Sequence, residues 1–143
     1  MKVAFTPGKG FFAWLIRSWT FGKYAHCELV FSDGVWFGCS YYAPFRVGAR
    51  DYVEPGLHWD FVDISVSKEQ EEIIRQWCYH EEGSDYDWAG IMFSQVVRLG
   101  GHSRRRWFCS EICAAAIQQV GYLLNFKPQK ISPNKLHKLL TKK

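Results

Sequence analysis

Hydrophobic residues recur at every second position between residues 24 and 31, the pattern of a β-strand with one buried face. Because successive side chains point to opposite faces, His26 and Glu28 share the other face of this strand. Ser32-Asp33-Gly34 predicts a hairpin turn, and residues 35–42 predict the returning strand. The apolar row consists of Ala25, Cys27, Leu29 and Phe31.

Further elements follow from the same kind of pattern. Strands are predicted at residues 2–5 and 57–66, and a loop that could cover a site at 43–56. Ser67 predicts an N-cap, completed three residues later by Gln70 in a capping box, and residues 85–88 predict the start of another helix. Helices are predicted at 11–19, where we expect packing across the sheet, and at 68–82, 89–99, 110–120 and 134–140. The prediction is an α+β fold in one domain, residues 1–143, since no repeat or linker divides the chain.

Composition narrows the class of protein. Hydrophobic residues make up 48% of the 143 residues and aromatic residues 17%, which excludes a disordered chain. The net charge of +4 arises partly from Arg104–Arg106 and from lysines near the C-terminus; a solvated basic face is favoured over a specific anion site, and no specific nucleic-acid partner is expected. Oligomeric state is left open.

Five cysteines without a CxxC pair argue against a disulfide framework and a zinc site, so neither metal nor cofactor is expected. The N-terminus lacks a signal peptide and the apolar run 11–16 is too short to span a bilayer. The expected location is cytoplasmic, with release by cell lysis as an alternative.

Cys109 is the candidate nucleophile. It precedes a helix rich in small residues, and a thiol at a helix start feels the positive end of the helix dipole and unpaired backbone N–H groups. Both favour thiolate, and the same N–H groups can bind an oxyanion. A buried structural cysteine is an equally open interpretation.

His26 is the candidate base, because a nucleophilic thiol needs a partner that takes and returns its proton. Taken alone, a histidine on a strand is more often structural. Glu28 could orient the imidazole, or equally could be a surface residue paired with Arg46 or Arg50. Ser40, on the returning strand, is the other candidate for the third polar residue.

These residues together resemble a known family. The segment 24–34, YAHCELVFSDG, with Trp107-Phe108-Cys109-Ser110-Glu111 downstream and residues 86–90, YDWAG, between them, resembles the circularly permuted branch of the NlpC-like, papain-type cysteine hydrolases, in its short phage and bacterial members. The likeness covers roughly residues 1–135. It implies a small antiparallel sheet packed by helices, Cys109 as nucleophile, His26 as base, and Glu28 or Ser40 as third residue. Trp107, Ser110 and Ser40 are predicted to contact substrate.

The resemblance implies amide-bond cleavage, often in peptidoglycan peptides, through a thioacyl-enzyme. A lipid-directed thioesterase or acyltransferase is the first alternative, motivated by the aromatic content and the basic loop. A non-catalytic binding module, such as an inhibitor of a host protein, is the second. The expected partner is accordingly an amide- or ester-containing substrate, peptide or lipid.

Overall fold

A computed structural model describes residues 1–39, 47–83, 85–86 and 106–142 of the chain. Within this part, five antiparallel strands form one sheet in the order β4-β3-β2-β1-β5. Two further short strands, β6 and β7, pair in parallel. The strands are β1 (Lys2–Thr6), β2 (His26–Val30), β3 (Trp36–Cys39), β4 (Val47–Arg50), β5 (Asp60–Asp63), β6 (Asp85–Tyr86) and β7 (Arg106–Trp107).

Four α-helices accompany the sheet in the described residues. Ser67 caps α2, and the reciprocal bonds with Gln70 confirm the predicted capping box. The hydroxyl of Ser132 caps α4 by accepting from the Lys135 N–H, without a reciprocal bond. The helices are α1 (Gly10–Thr20), α2 (Lys68–His80), α3 (Cys109–Gln118) and α4 (Pro133–Thr141), with a short 3-10 turn at Pro128–Lys130. The predicted α+β class with an antiparallel sheet is therefore confirmed.

The main core lies between one face of the sheet and α3. Every residue of α3 from Cys109 to Ile117 is buried, as expected for a helix enclosed by other elements. Its alanines allow close approach to β2, whose Cys27 and Leu29 are fully buried beneath it. The apolar row predicted for residues 25–31 is buried throughout.

The opposite face of the sheet also carries buried side chains, and here the polar residues lie. Ala4, Trp36 and Trp59 form a second apolar cluster on this side. His26 and Glu28 are 5% and 0% exposed. The sheet is thus covered on both faces, and the strand that was predicted to have one buried face has two.

Three predictions about secondary structure and packing are wrong. Residues 47–50, placed in the loop 43–56, form the edge strand β4, because their main chain pairs with β3 from Cys39↔Val47 to Trp36↔Arg50. Asp85–Tyr86 is a strand and not a helix start, since its backbone pairs with Arg106–Trp107. The helix near residues 11–19 exists, but only Ala13 of α1 is buried, so it is not packed across the sheet.

The predicted helix 89–99, the basic residues 104–105 and the remainder of the predicted loop, 43–46, lie outside the described residues. Among the helices that are described, none has the length and apolar character needed to cross a membrane.

Candidate active site

Cys109 is the first residue of α3, as the sequence predicts. The helix begins after Phe108, whose backbone is extended and whose N–H donates to the Glu111 carboxylate. A residue at this position has no carbonyl within its own helix to accept its N–H, and its side chain lies at the positive end of the helix dipole. Glu111 is therefore a capping residue of α3.

His26, Glu28 and Arg50 form a connected polar chain on the second face of the sheet. The Nε2 atom of His26 lies 2.9 Å from Oε1 of Glu28, and the other carboxylate oxygen accepts from Nη1 of Arg50. The side chains of Glu28 and Arg50 are 0% and 7% exposed. Both open interpretations of Glu28 are therefore realised at once: it holds the imidazole and pairs with Arg50, but it does so in the interior.

Glu28 fits on this face because β3 offers a glycine beside it. A Cβ atom placed on Gly38 would lie only 3.0 Å from Cγ of Glu28 and 3.3 Å from its Cβ. Contacts this short require the neighbouring side chain to move. Gly38 pairs in turn with Gly48 on β4, where an added Cβ would meet Oε1 of Glu82 at 3.4 Å and no atom of Glu28. The requirement for a small residue beside the Glu28 side chain therefore falls on Gly38.

Aromatic side chains enclose the imidazole. The rings of His26 and Trp59 meet edge to face with centroids 6.1 Å apart, and Trp59 contacts Trp36 at 4.9 Å. The guanidinium of Arg50 lies over the ring of Trp36, 5.3 Å from its centroid. Because these apolar surroundings weaken screening by water, the contacts that link His26, Glu28 and Arg50 are strengthened.

The pKa of His26 is raised from 6.5 to about 10. Burial alone lowers the pKa of the ring, but a hydrogen bond and opposite charge from Cys109, reinforced by Glu28, outweigh this effect. Because Nε2 is bonded to Glu28, Nδ1 is the ring nitrogen left for the Cys109 sulfur. Both nitrogens of an imidazolium donate, so the protonated ring satisfies both partners.

The pKa of Cys109 is held well below that of an ordinary thiol. The largest cause is a hydrogen bond from the Cys27 thiol; burial opposes it, and the charge and hydrogen bond of His26 lower the pKa further. Burial instead raises the pKa of Cys27, Cys39 and Cys78. The pKa is thus lowered at Cys109 and raised at these three cysteines, and none of the five cysteines, all within the described residues, is in a disulfide.

The Cys109 residue is only 5% exposed and belongs to the main core cluster. A charged sulfur is tolerated there because it is paired and hydrogen-bonded. Cys109 is therefore a core residue, as one of the two sequence interpretations has it, and also a partner of His26; its role as nucleophile stays a prediction.

The remaining predicted residues have different outcomes. Ser110 is 3% exposed, and its hydroxyl donates to the Ile131 carbonyl at 2.6 Å, which ties α3 to the segment before α4. Trp107 belongs to β7 directly before the helix, and Ser40 lies outside the described residues. Contact of these three residues with substrate stays a prediction.

Sequence reasoning missed Cys27, Trp59 and Gly38 as parts of the site. Cys27 was counted only in the apolar row, although its position next to His26 could have suggested a donor to a sulfur on the packed helix. Nothing in the local sequence marks Trp59, which comes from the segment before β5. In the described part of the chain, no group of three or more His, Cys, Asp or Glu side chains is arranged to hold a metal ion.

Comparison of the chain with protein-family models, with curated proteins and with solved structures found no match in any of the three.

Proposed function

We propose that this protein is a cysteine-dependent acyl-transfer enzyme of the permuted NlpC-like, papain-type class, with amide hydrolysis as its reaction. The observation that carries the proposal is the pairing of a helix-terminal Cys109 with His26, whose other ring nitrogen is bonded to Glu28. The order of the elements also supports it, because the histidine strand precedes the cysteine helix, as in the permuted branch.

The chemistry follows from these groups. The Cys109 thiolate attacks the carbonyl carbon of an amide, a C–S bond forms, and the negative charge on oxygen faces the N–H groups at the start of α3. The His26 imidazolium gives its proton to the departing amine as the C–N bond breaks. The neutral ring then takes a proton from water, whose oxygen attacks the thioester, and the acid product and Cys109 thiolate are released.

Glu28 and Arg50 act as positioning residues in this scheme. A carboxylate on Nε2 fixes the tautomer and stabilises the imidazolium, and Arg50 in turn holds the carboxylate. Glu28 is the proposed third member of the site, in preference to Ser40, because its contact with the imidazole lies among the described residues.

The experiment is a trap for the acyl-enzyme. The full chain is incubated with p-nitrophenyl acetate and with a medium-chain p-nitrophenyl ester, quenched in acid, and its peptides are analysed by mass spectrometry. We expect an acyl group on Cys109, none in Cys109→Ala, and less in His26→Ala. Hydrolysis of peptidoglycan-derived peptides and of phospholipid esters, measured side by side, then separates the amidase from the lipid-directed alternative. No acyl group on Cys109 with either ester would overturn the proposal.

The burial of Cys109 favours a second candidate, a binding module on an enzyme scaffold. At 5% exposure the sulfur offers little surface to a substrate. The discriminating observation is the biological effect of Cys109→Ala: an effect retained in full with no acyl-enzyme in the wild type supports binding, and an effect lost with folding intact supports catalysis.

A further inference from the structure

The helix α1 presents a nearly continuous apolar face to the outside. Positions 11, 14, 15, 18 and 19 are spaced by three or four residues and therefore share one side of the helix, opposite Ala13. Ser18 is the one polar residue among them. Five aromatic residues of α1 and its C-cap are at least 49% exposed: Phe11, Phe12, Trp14, Trp19 and Phe21.

Phe21 is the most unusual of these residues. It is 97% exposed, and its φ of 47° lies in the left-handed region, where a bulky side chain is disfavoured. A glycine would end the helix at this position without that cost. Phe21 also lines a groove of about 260 Å³ together with Leu15, Ser18 and Trp19. Several large aromatic side chains exposed together on one helix are typical of an interaction surface.

The charged residues of α1 and of the sequence directly around it are all cations. The first 27 residues contain no aspartate or glutamate, whereas Lys9 and Arg17 lie at the start and in the last turn of α1. Lys23 follows, but Asp60 neutralises it through a contact of 2.5 Å. The patch therefore combines large aromatic rings with nearby cations, which suits an apolar surface bordered by negative charge.

We propose that α1 and Phe21 form a docking surface for the interfacial region of an anionic lipid bilayer. Trp and Phe rings favour the boundary between headgroups and acyl chains, and Lys and Arg favour anionic headgroups. At 11 residues the helix is far too short to span a bilayer, so it would lie in the plane of the interface.

The end of α1 is held to the body of the protein, so the surface is presented in a fixed orientation. The side-chain amide of Asn134, on α4, donates to the Thr20 hydroxyl and to the Tyr24 carbonyl, each at 2.8 Å. A substituted Gly22 would collide with Asn134 at 2.2 Å. Docking in this orientation requires no unfolding of the helix.

The test is co-sedimentation of the full chain with two kinds of vesicle, pure phosphatidylcholine and phosphatidylcholine with phosphatidylglycerol. We expect stronger binding to the anionic vesicles, weakened by salt. Phe21→Gly is the decisive variant, because glycine removes the ring and also relieves the left-handed backbone. It should unfold at the same temperature or higher, yet bind vesicles about tenfold more weakly, the effect of withholding one large aromatic side chain.

Three further variants sharpen the result. Lys9→Glu combined with Arg17→Glu should weaken binding to the anionic vesicles and leave binding to phosphatidylcholine unchanged. Tyr79→Gln, at a comparably exposed aromatic residue on α2, is the matched control and should bind like the wild type. Cys109→Ala should also bind normally, so that a failure of docking and a failure of the proposed chemistry are told apart.

Three results would overturn the proposal. The first is no binding of the wild type to either vesicle, and the second is equal binding by wild type and Phe21→Gly. The third is a concentration-dependent dimer in analytical ultracentrifugation that Phe21→Gly dissociates without any effect of lipid; in that case a second copy of the chain covers the surface.

Discussion

Replacing His26 with alanine should raise the lowered pKa of Cys109 towards that of an ordinary thiol. The rise in the pKa of His26 from 6.5 to about 10 corresponds to roughly 5 kcal/mol in favour of the charged ring, shared between Cys109 and Glu28. Without the imidazolium, only the hydrogen bonds from Cys27 are left to oppose burial, so the pKa of Cys109 rises towards the ordinary thiol value of about 8.5. A thiol at that ordinary value is about 1 part in 300 thiolate at pH 6, which sets the scale of the expected loss.

The assay is the rate of alkylation by iodoacetamide, followed at each cysteine by mass spectrometry of its peptide. We expect wild-type Cys109 to react at a rate that is nearly independent of pH from about 6 to 9, and faster than Cys27 or Cys78. His26→Ala should react at Cys109 more slowly at pH 6, by up to about 300-fold, with the rate recovering towards alkaline pH. His58→Ala, at an exposed histidine, is the control.

Equal rates at Cys109 in wild type and His26→Ala at pH 6 would refute the ion pair. Slow labelling of wild-type Cys109 at every pH, despite a folded protein, would refute access to the sulfur. The variant should stay folded, because a protonated Cys109 needs no counter-charge and Glu28 keeps Arg50 as its partner.

The free energy of unfolding should depend on pH in a way that reports on the pair formed by Cys109 and His26. The raised pKa of His26 gives a contribution that is complete below 6.5 and lost as pH rises through about 10. The lowered pKa of Cys109 gives one that is complete above 9.0 and lost as pH falls. The two trends cancel between about pH 6.5 and 9, so urea unfolding should show a plateau there and a loss above it, and His26→Ala should lose less above pH 9.

Three further substitutions probe the surroundings of the pair. Glu28→Gln should lower the free energy of unfolding by about 3 to 5 kcal/mol in urea, because it leaves Arg50 buried without its counter-charge. Adding Arg50→Met should recover part of the loss, and no recovery would contradict that cause. Gly38→Ala should cost about 1 to 3 kcal/mol and slow alkylation of the active-site sulfur at pH 6 by displacing Glu28. Gly48→Ala, whose nearest contact would be 3.4 Å, is its matched control in both measurements and should cost less. Cys27→Ala should raise the pKa of the active-site sulfur, seen as slower labelling at pH 6; an unchanged rate would exclude the Cys27 hydrogen bond.

The sequence predicts well those features that depend on local pattern. The alternation along residues 24–31 gives the strand β2 and the shared face of His26 and Glu28, and Ser67 with Gln70 gives the start of α2. The start of α3 at Cys109 follows from the small residues after it. Such features need only nearest neighbours along the chain.

Features that depend on distant pairing could not be predicted. Residues 47–50 contain Gly48 and Arg50, which resemble a loop, and only pairing with β3 makes them a strand. The pairing of Glu28 with Arg50 was one of the open sequence interpretations, but its place in the interior depends on this strand pairing. The hydrogen bond between Cys27 and Cys109 likewise depends on how α3 is placed over the sheet, which no local pattern records.

The arrangement of charge favours a chemical role over a structural one. Thiolate, imidazolium, carboxylate and guanidinium follow one another as Cys109, His26, Glu28 and Arg50, and each charge lies next to one of opposite sign. Buried ion pairs seldom stabilise a fold more than well-packed apolar side chains of similar volume do, because desolvation offsets their attraction. Gly38 also leaves room for the Glu28 side chain, and Trp36 and Trp59 pack beside the array. A core built for stability alone has no need of such an array, whereas the array suits the thiolate chemistry proposed above.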